Sequence, residues 1–572
     1  NRDYSKVEVN LNITEGDQYF TGKLDVKSAD GHELLFDKEK MIDGFKLKTG
    51  EVFNIYNMNE GRYKISDIYL EQGYAFSKVG IGYNTNEETK TVDVTLNVTK
   101  GEKAYIGRVE IQGNYETLDS VIRRELKIHD NELYNGVKLR ESRSAITALG
   151  FFKPSTGVRF EQSQGEEENT LDYGILLEEG QTGTFSASLT YSGESGMAII
   201  ASISKKNFLG TGKTLTFSTE QKGEGEGSRY DFSMVNPYWF DTEFTNSFRV
   251  FSILEVETYY DTRTSGFNYG LSYPIWKNWN LSSNFSWKDE YYSNIGEEYG
   301  EELLDGTNEN TYRSLSLGLS YSTVDHPLFP SNGFETSFYS EQYGGLVLGG
   351  SIEYQVLNLN TRFFKPLNSS GSIVFGAKFN WAQLLQTNSS IEIPSHIRYT
   401  IGGITSVRGF DWNEIRGPAS TAELNGFDIA DEYPTERESY MDTMGFDEST
   451  CSGDATCDAK STTKNESREY FEQHFGGITK RVLNLQMYFP LTREGGNIRG
   501  LIFFDMGNVW AEDRMYKIAG LKKDDWYYRT SIGTGVNLIT PMGVLRFEYG
   551  IKLDKKEGES ASKFDFHISG LF

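Results

Sequence analysis

Four successive stretches decide how this chain is read: TFSASLTYSG at 184–193, GMAIIASISKKN at 196–207, GKTLTFSTEQ at 212–221 and SRYDFSMVNPYW at 228–239. In each, apolar and polar residues alternate, so a strand built from it has one apolar face. Helical periodicity is absent from about Gly183 onward. The pattern returns in TYRSLSLGLSYSTV (311–324), SIEYQVLNLNTRFF (351–364), GSIVFGAKFNWAQ (371–383), RVLNLQMYFPL (481–491), IRGLIFFDMGNVW (498–510), YRTSIGTGVNLIT (528–540), GVLRFEYGIKL (543–553) and SKFDFHISGLF (562–572). Strands of roughly ten residues suit tilted crossings of a bilayer. Residues 183–572 number about 390; at about 24 residues per strand and connection they make roughly 16 strands, an even number, as closed bacterial barrels have. Aromatic residues gather near run ends (Tyr238, Trp239, Phe240; Trp276, Trp279; Phe363, Phe364), which suits an interfacial girdle. The fold class expected is a transmembrane antiparallel β-barrel of about 16 strands. A soluble β-sandwich array is the alternative, and it leaves the aromatic-tipped strands unexplained.

Composition narrows the function. The chain has 57 Lys and Arg against 82 Asp and Glu, a net charge of −25. Such a chain repels phosphate backbones, so no nucleic-acid partner is expected. No stretch approaches the ~18 apolar residues of a membrane-spanning helix. The two cysteines, Cys451 and Cys457, lack the further ligands a zinc site needs. They read as a small disulfide, which requires an oxidising compartment; a free pair is the alternative. GTGKT at 210–214 imitates a phosphate-binding loop, but Asn207 stands where the first Gly is required and a strand follows. The six histidines are scattered without metal or triad spacing. No cofactor, metal or bond-making chemistry is expected.

The front of the chain repeats itself. VEVNLNITEGDQYFTGKLDV at 7–26 matches VDVTLNVTKGEKAYIGRVEI at 92–111, with Gly16 on Gly101 and Gly22 on Gly107; a partial copy, LDYGILLEEG, lies at 171–180. Between copies the period changes to helical: Met58–Gln72 ending at Gly73, Leu118–Ile128, and Val137–Phe152 with Gly150 near its end. Each unit therefore reads strand, helix, helix, strand, strand, a two-layer α+β domain. The expected division is a closing strand of a truncated unit at 1–16, full units at 17–100 and 101–181, and the barrel at 182–572. A long acidic connection is expected at about 403–476. The partial unit at 1–16 implies a chain cut from a longer array. The units are either spacers or exposed strand edges that accept extended peptides.

Particular segments carry a resemblance. GGITSVRGF (402–410), KNFLGTG (206–212), NPYWF (236–240), DHPLFPSNGFE (325–335) and FFDMGNVW (503–510) resemble, in order, segments of the BamA family of outer-membrane protein assembly factors. The repeats resemble polypeptide-transport-associated (POTRA) domains. The resemblance covers the whole chain. It implies that Val407, Arg408, Gly409 and Phe410 form the tip of the sixth extracellular loop, folded into the lumen. A buried guanidinium needs acceptors, and Asp505 is the family's match for the partner. The family's second carboxylate falls on Gln486, a departure that makes Arg408–Asp505 the expected main anchor.

The C-terminus resembles the β-signal of such barrels. It implies a weak lateral seam between Thr184, Phe185, Ser186, Ala187, Ser188, Leu189, Thr190 and Tyr191 in the first strand and Phe564, Phe566, Ile568, Gly570 and Phe572 in the last. Gly570 sits one position from where the family kinks inward, with Ser569 in that place. The implied role is a central subunit that folds and inserts outer-membrane proteins, its POTRA domains lying in the periplasm. The implied partners are lipoproteins of the BamB, BamC, BamD and BamE type, unfolded outer-membrane proteins, periplasmic chaperones, and membrane lipid with lipopolysaccharide. The alternative is a two-partner-secretion export channel; a porin would lack the front repeats.

Overall fold

The computed structural model describes Gly16–Ser569, apart from residues 44, 193–195, 224–226, 257–260, 295–308, 327–328, 369–370, 389–392, 394–396, 417–475, 493–497, 512–525, 541–542 and 557–558. The expectations placed on residues 1–15, on Cys451 and Cys457, and on Gly570 and Phe572 lie outside the described residues. Two compact units are formed: Asn1–Thr182 with Lys206–Gly212, and Gly183–Lys205 with Lys213–Phe572.

The first unit holds two copies of one α+β design. The first comprises β1 (Phe20–Ser28), α1 (Lys38–Ile42), α2 (Ile55–Glu71), β2 (Lys78–Asn86) and β3 (Thr91–Thr99), with sheet order β1-β3-β2. The second comprises β4 (Tyr105–Gln112), α3 (Asp119–Arg123), α4 (Gly136–Ala148), β5 (Val158–Gln164) and β6 (Thr170–Leu177), with order β4-β6-β5. The alternation seen in the sequence buries Val92, Val94, Leu96 and Val98 on one face of β3. The long helix of each copy starts at an asparagine cap: Asn54 accepts from the Tyr56 amide at 2.8 Å, and Asn135 from the Lys138 amide at 2.9 Å. Gly73 and Gly150, with φ of +95° and +68°, turn the chain out of those helices.

The repeated glycines Gly22 and Gly107 sit at matching irregularities of register in β1 and β4. There the central strand's carboxylate takes the next amide: Asp93 from Lys23 at 2.6 Å, Asp172 from Arg108 at 2.8 Å. A Cβ at either glycine would stand 2.1 Å from that carboxylate oxygen. The expected helix over Leu118–Ile128 is shorter than its periodicity suggests, since α3 ends at Arg123. Leu126 and Ile128 still enter the core, but from a turn and irregular chain, where the Ser142 hydroxyl takes the Lys127 amide at 2.8 Å.

The second unit is an antiparallel barrel whose wall has sixteen strands among the described residues. They begin with β7 (Gly183–Ser192), β8 (Gly196–Phe208), β9 (Lys213–Lys222), β10 (Gly227–Asn236), β11 (Thr245–Val256) and β12 (Asp261–Trp276). They continue with β13 (Trp279–Ser293), β14 (Glu309–Ser322), β15 (Gly333–Tyr343), β16 (Tyr354–Pro366) and β17 (Val374–Gln386). A small helix, α5 (Gly345–Leu348), lies between β15 and β16. Two short strands, β18 (Thr400–Ile401) and β19 (Ile415–Arg416), pair outside the wall sheet. The wall finishes with β20 (Thr479–Pro490), β21 (Ile498–Trp510), β22 (Arg529–Thr540), β23 (Gly543–Lys552) and β24 (Ser562–Ser569), which returns to β7. No described helix is long and apolar enough to cross a membrane; the strands do so. Along β23, Phe547, Tyr549 and Ile551 are exposed on the outer face while Glu548 and Lys552 are buried on the inner one. An outer face open to an apolar solvent and a polar inner face is the membrane-barrel pattern.

Candidate functional site

Inside the barrel, the connection from β17 to β20 forms a tight turn at 402–410. The Ser406 hydroxyl accepts from the Gly402 amide at 2.8 Å, and the Gly403 amide donates to the Phe410 carbonyl at 3.1 Å. Val407 and Phe410 are buried with Ile401, Ile415, Val482 and Val509. Gly409 has φ of +87°, and its Cβ would lie 2.9 Å from the Gly550 carbonyl carbon. The turn thus sits directly on the backbone of β23, which only a glycine facing a glycine allows.

This seating aims Arg408 into the wall. Arg408 is 4% exposed and Asp505 is 0% exposed. Nε donates to Asp505 Oδ2 at 2.7 Å and Nη2 to Oδ1 at 2.7 Å, a bidentate fork. The Arg408 backbone amide adds a third bond to the same carboxylate at 3.0 Å. Nη1 reaches Glu548 on β23 at 3.3 Å, and the guanidinium carbon lies 3.7 Å from the Phe503 ring centroid. Glu548 is held in turn by Arg546 at 2.8 Å.

Gln486, expected to stand beside Asp505 as the loop's weaker partner, is not that partner. It lies on β20, partly buried, with no hydrogen bond to the loop among the described residues. Two residues earlier on the same face, Asn484 donates to the Ser406 carbonyl at 2.6 Å. The second carboxylate comes instead from β23, as Glu548. Sequence reasoning misses both Asn484 and Glu548; for Glu548 there is a partial signal, since LRFEYGIK carries Arg546, Glu548 and Lys552 on one face, charges that need partners inside without saying which. Further ties are Lys552 to Glu414, Lys563 on β24 to Asp411 at 3.2 Å, and the Phe410 ring lying 4.7 Å from the Arg529 guanidinium. No group of three or more His, Cys, Asp or Glu side chains among the described residues could hold a metal ion.

The closing seam is the second feature. Among the described residues, register between β24 and β7 is confined to His567 opposite Ser192 and Ile568 opposite Tyr191. Its neighbours pair along whole strands: Val544–Ile551 against Ser562–Ser569, and Gly183–Ser192 against Gly196–Lys205. Thr184, Phe185, Ser186, Ala187, Ser188, Leu189 and Thr190 therefore pair with β8 only, among the described residues. Phe185 and Leu189 are 71% and 51% exposed toward the lipid side, as is Phe564 at 61% on β24. Phe566 stacks on Phe547 with ring centroids 4.8 Å apart.

Family comparison agrees with this architecture. Residues 207–572 match the Omp85 superfamily domain, and 28–101 and 104–180 match the POTRA domain, described as a surface antigen variable number repeat. The outer membrane protein assembly factor BamA of Neisseria meningitidis is 24% identical, covering 100% of this chain and 69% of that protein. The same factor of Nitratidesulfovibrio vulgaris is 24% identical, covering 99% of this chain and 63% of its own length. The chain thus spans about two thirds of these relatives. Among solved structures, BamA from Haemophilus ducreyi lacking POTRA domains 1–3 aligns with a TM-score of 0.65 at 20% identity, over 96% of this chain and 100% of that one. CdiB from Escherichia coli aligns with a TM-score of 0.52 at 12% identity, over 99% and 92%. These two show the fold. A sixteen-strand wall, two POTRA copies and the matching family models together place the chain in the Omp85 superfamily, as an outer-membrane β-barrel carrying periplasmic POTRA domains.

Proposed function

We propose that this chain folds β-barrel proteins and inserts them into the outer membrane, using the seam between β7 and β24 as the template. The observation that carries the reading is the two-position register of that seam among the described residues. An unpaired backbone group facing hydrocarbon costs several kcal/mol, so the edge of Gly183–Thr190 favours any strand that can pair with it. An incoming client strand supplies its own edge by β-augmentation. Each step exchanges one pairing for another, so no nucleotide is consumed. Two curated relatives named as assembly factors support the same reading.

The Arg408 cluster is proposed to brace the wall while the seam works. Its ties run to β20, β21 and β23, and Asp411 reaches β24 itself, so the loop spans the strands that lead to the seam. The edge strands β2 and β5 of the POTRA sheets are proposed to guide unfolded clients delivered by periplasmic chaperones; the starts of β1 and β4 are already bridged, by Val52 and Leu133. Lipoproteins of the BamB, BamC, BamD and BamE type are the proposed companions. Export of a finished polypeptide through the lumen is the second reading. The loop seated in the lumen, with Val407 and Phe410 fully buried, disfavours it.

The test is a lock across the seam. Tyr191→Cys with Ile568→Cys joins register partners, in a background carrying Cys451→Ser and Cys457→Ser. The oxidised protein in vesicles loses its acceleration of client barrel folding, and a reductant restores it. Undiminished acceleration with the bond closed overturns the seam mechanism.

A further inference from the structure

The connection between β15 and β16 reads GGLVLGG at 344–350, and it presents apolar side chains to nothing in the protein. Leu346 and Val347 are 108% and 96% exposed. The turn that carries them is nevertheless held at both ends. The Gly344 amide donates to the Arg313 carbonyl at 2.9 Å and the Ser351 amide to the Thr311 carbonyl at 2.8 Å. Arg313 Nη1 donates to the Leu348 carbonyl at 3.3 Å, and a Cβ on Gly349 would stand 3.0 Å from that nitrogen.

The position of Arg313 says where the tip lies. On β14, Tyr312 and Ser314 are buried on the lumen side, whereas Leu315, Leu317 and Leu319, on Arg313's own face, are exposed. Arg313 therefore stands on the outer wall, where the apolar stripe ends. It faces Trp287 across the β13–β14 ladder, with its guanidinium 4.3 Å from the Trp287 ring centroid. An arginine over a tryptophan at the end of an apolar stripe marks the head-group level of a membrane barrel. The rim is the one that also bears the long connection from β17 to β20, the extracellular side. The patch on α5 is thus continuous with the wall that lipid already covers.

We propose that α5 is a lipid-contact finger, with Leu346 and Val347 entering the boundary between head groups and acyl chains of the outer leaflet. Two large apolar side chains on a glycine-flanked turn gain nothing in water and are buried by the neighbouring lipid. Lipid, rather than a second protein, is the occupant because Arg313 ties the turn to the lipid-facing wall.

The test uses the full chain in phosphatidylcholine–phosphatidylglycerol vesicles. Leu346→Cys and Val347→Cys are made separately, with Cys451→Ser and Cys457→Ser, and labelled with an environment-sensitive fluorophore. Leu317→Cys on the outer stripe is the membrane control, and Tyr115→Cys, 95% exposed in the POTRA unit, the water control. Labels at 346 and 347 lose most of their emission to a lipid nitroxide near the head group, and are quenched by aqueous iodide less than the label at 115. Iodide quenching equal to that at 115, with no nitroxide quenching while the Leu317 control is quenched, overturns the proposal.

Discussion

Replacing Arg408 by Ala removes the centre of the lumen cluster and leaves its partners in place. Asp505 is fully buried and keeps only the backbone amide of residue 408. Glu548 keeps Arg546, so its loss is smaller. Removing one partner from a buried pair costs about 3–5 kcal/mol, because the remaining charge is stranded. The Phe503 stack adds about 1 kcal/mol. That cost falls on the seated loop, since once unseated the loop lets water reach Asp505. Loop opening should therefore become more frequent by a factor on the order of a thousand to ten thousand, at one decade per ~1.4 kcal/mol. Hydrogen exchange of the amides at 400–411, with the protein in a bilayer, reads this directly. A double-mutant cycle adds the partner dependence: coupling of Arg408 to Asp505 should exceed its coupling to Glu548, in line with 2.7 Å bidentate against 3.3 Å single contacts. Exchange within a few-fold of the parent would refute the reasoning, since it would mean that the buried pair contributes nothing to seating the loop.

Gly409→Ala forces φ of +87° on a residue with a Cβ that has Gly550 2.9 Å away. The left-handed strain alone is about 1–2 kcal/mol, and loop exchange should rise at least tenfold, whereas Gly371→Ala, with similar φ and open space, leaves the loop unchanged. In the first POTRA copy, Gly22→Ala displaces Asp93 from the Lys23 amide; local exchange in β1 and β3 should report a loss of about 1–3 kcal/mol. Glu179 makes stability in the second copy depend on pH. Burial raises its pKa, but hydrogen bonds from the Thr117 hydroxyl and the Glu116 and Thr117 amides outweigh it, leaving the value below the ordinary glutamate range. A depressed folded pKa means that the stabilisation is present above the ordinary value and is lost as pH falls through the folded one. Exchange protection around Thr117 should drop in that acid window, and Glu179→Gln should remove the dependence; an unchanged profile in that variant would contradict the assignment.

Alternation was enough to identify the wall. In a barrel between lipid and a wet lumen, each strand residue meets one of two solvents, so period-two patterning is local information that survives without knowledge of the partner strands. The POTRA design was legible for a similar reason: the copies repeat cap, helix and central strand at constant spacing. The repeat also exposed Gly22 and Gly107 as equivalent. It could not say why, because the answer, a carboxylate from the central strand standing where a side chain would go, lies 65 to 71 residues away in sequence. Leu118–Ile128 keeps its apolar positions, yet its helix stops at Arg123, and beyond it a hydroxyl from α4 takes a backbone amide.

Arg408 and Asp505 could be singled out through motifs with fixed local spelling. Glu548 and Asn484 could not, because which inward side chain meets the loop depends on the stagger of the strands and on how deep the turn sits against Gly550. Those are properties of the closed wall, summed over every register in it. The seam is the extreme case: the resemblance of the C-terminus names the two strands that meet, but their alternation alone reads as two ordinary strands, and only the geometry of closure sets how few positions they share.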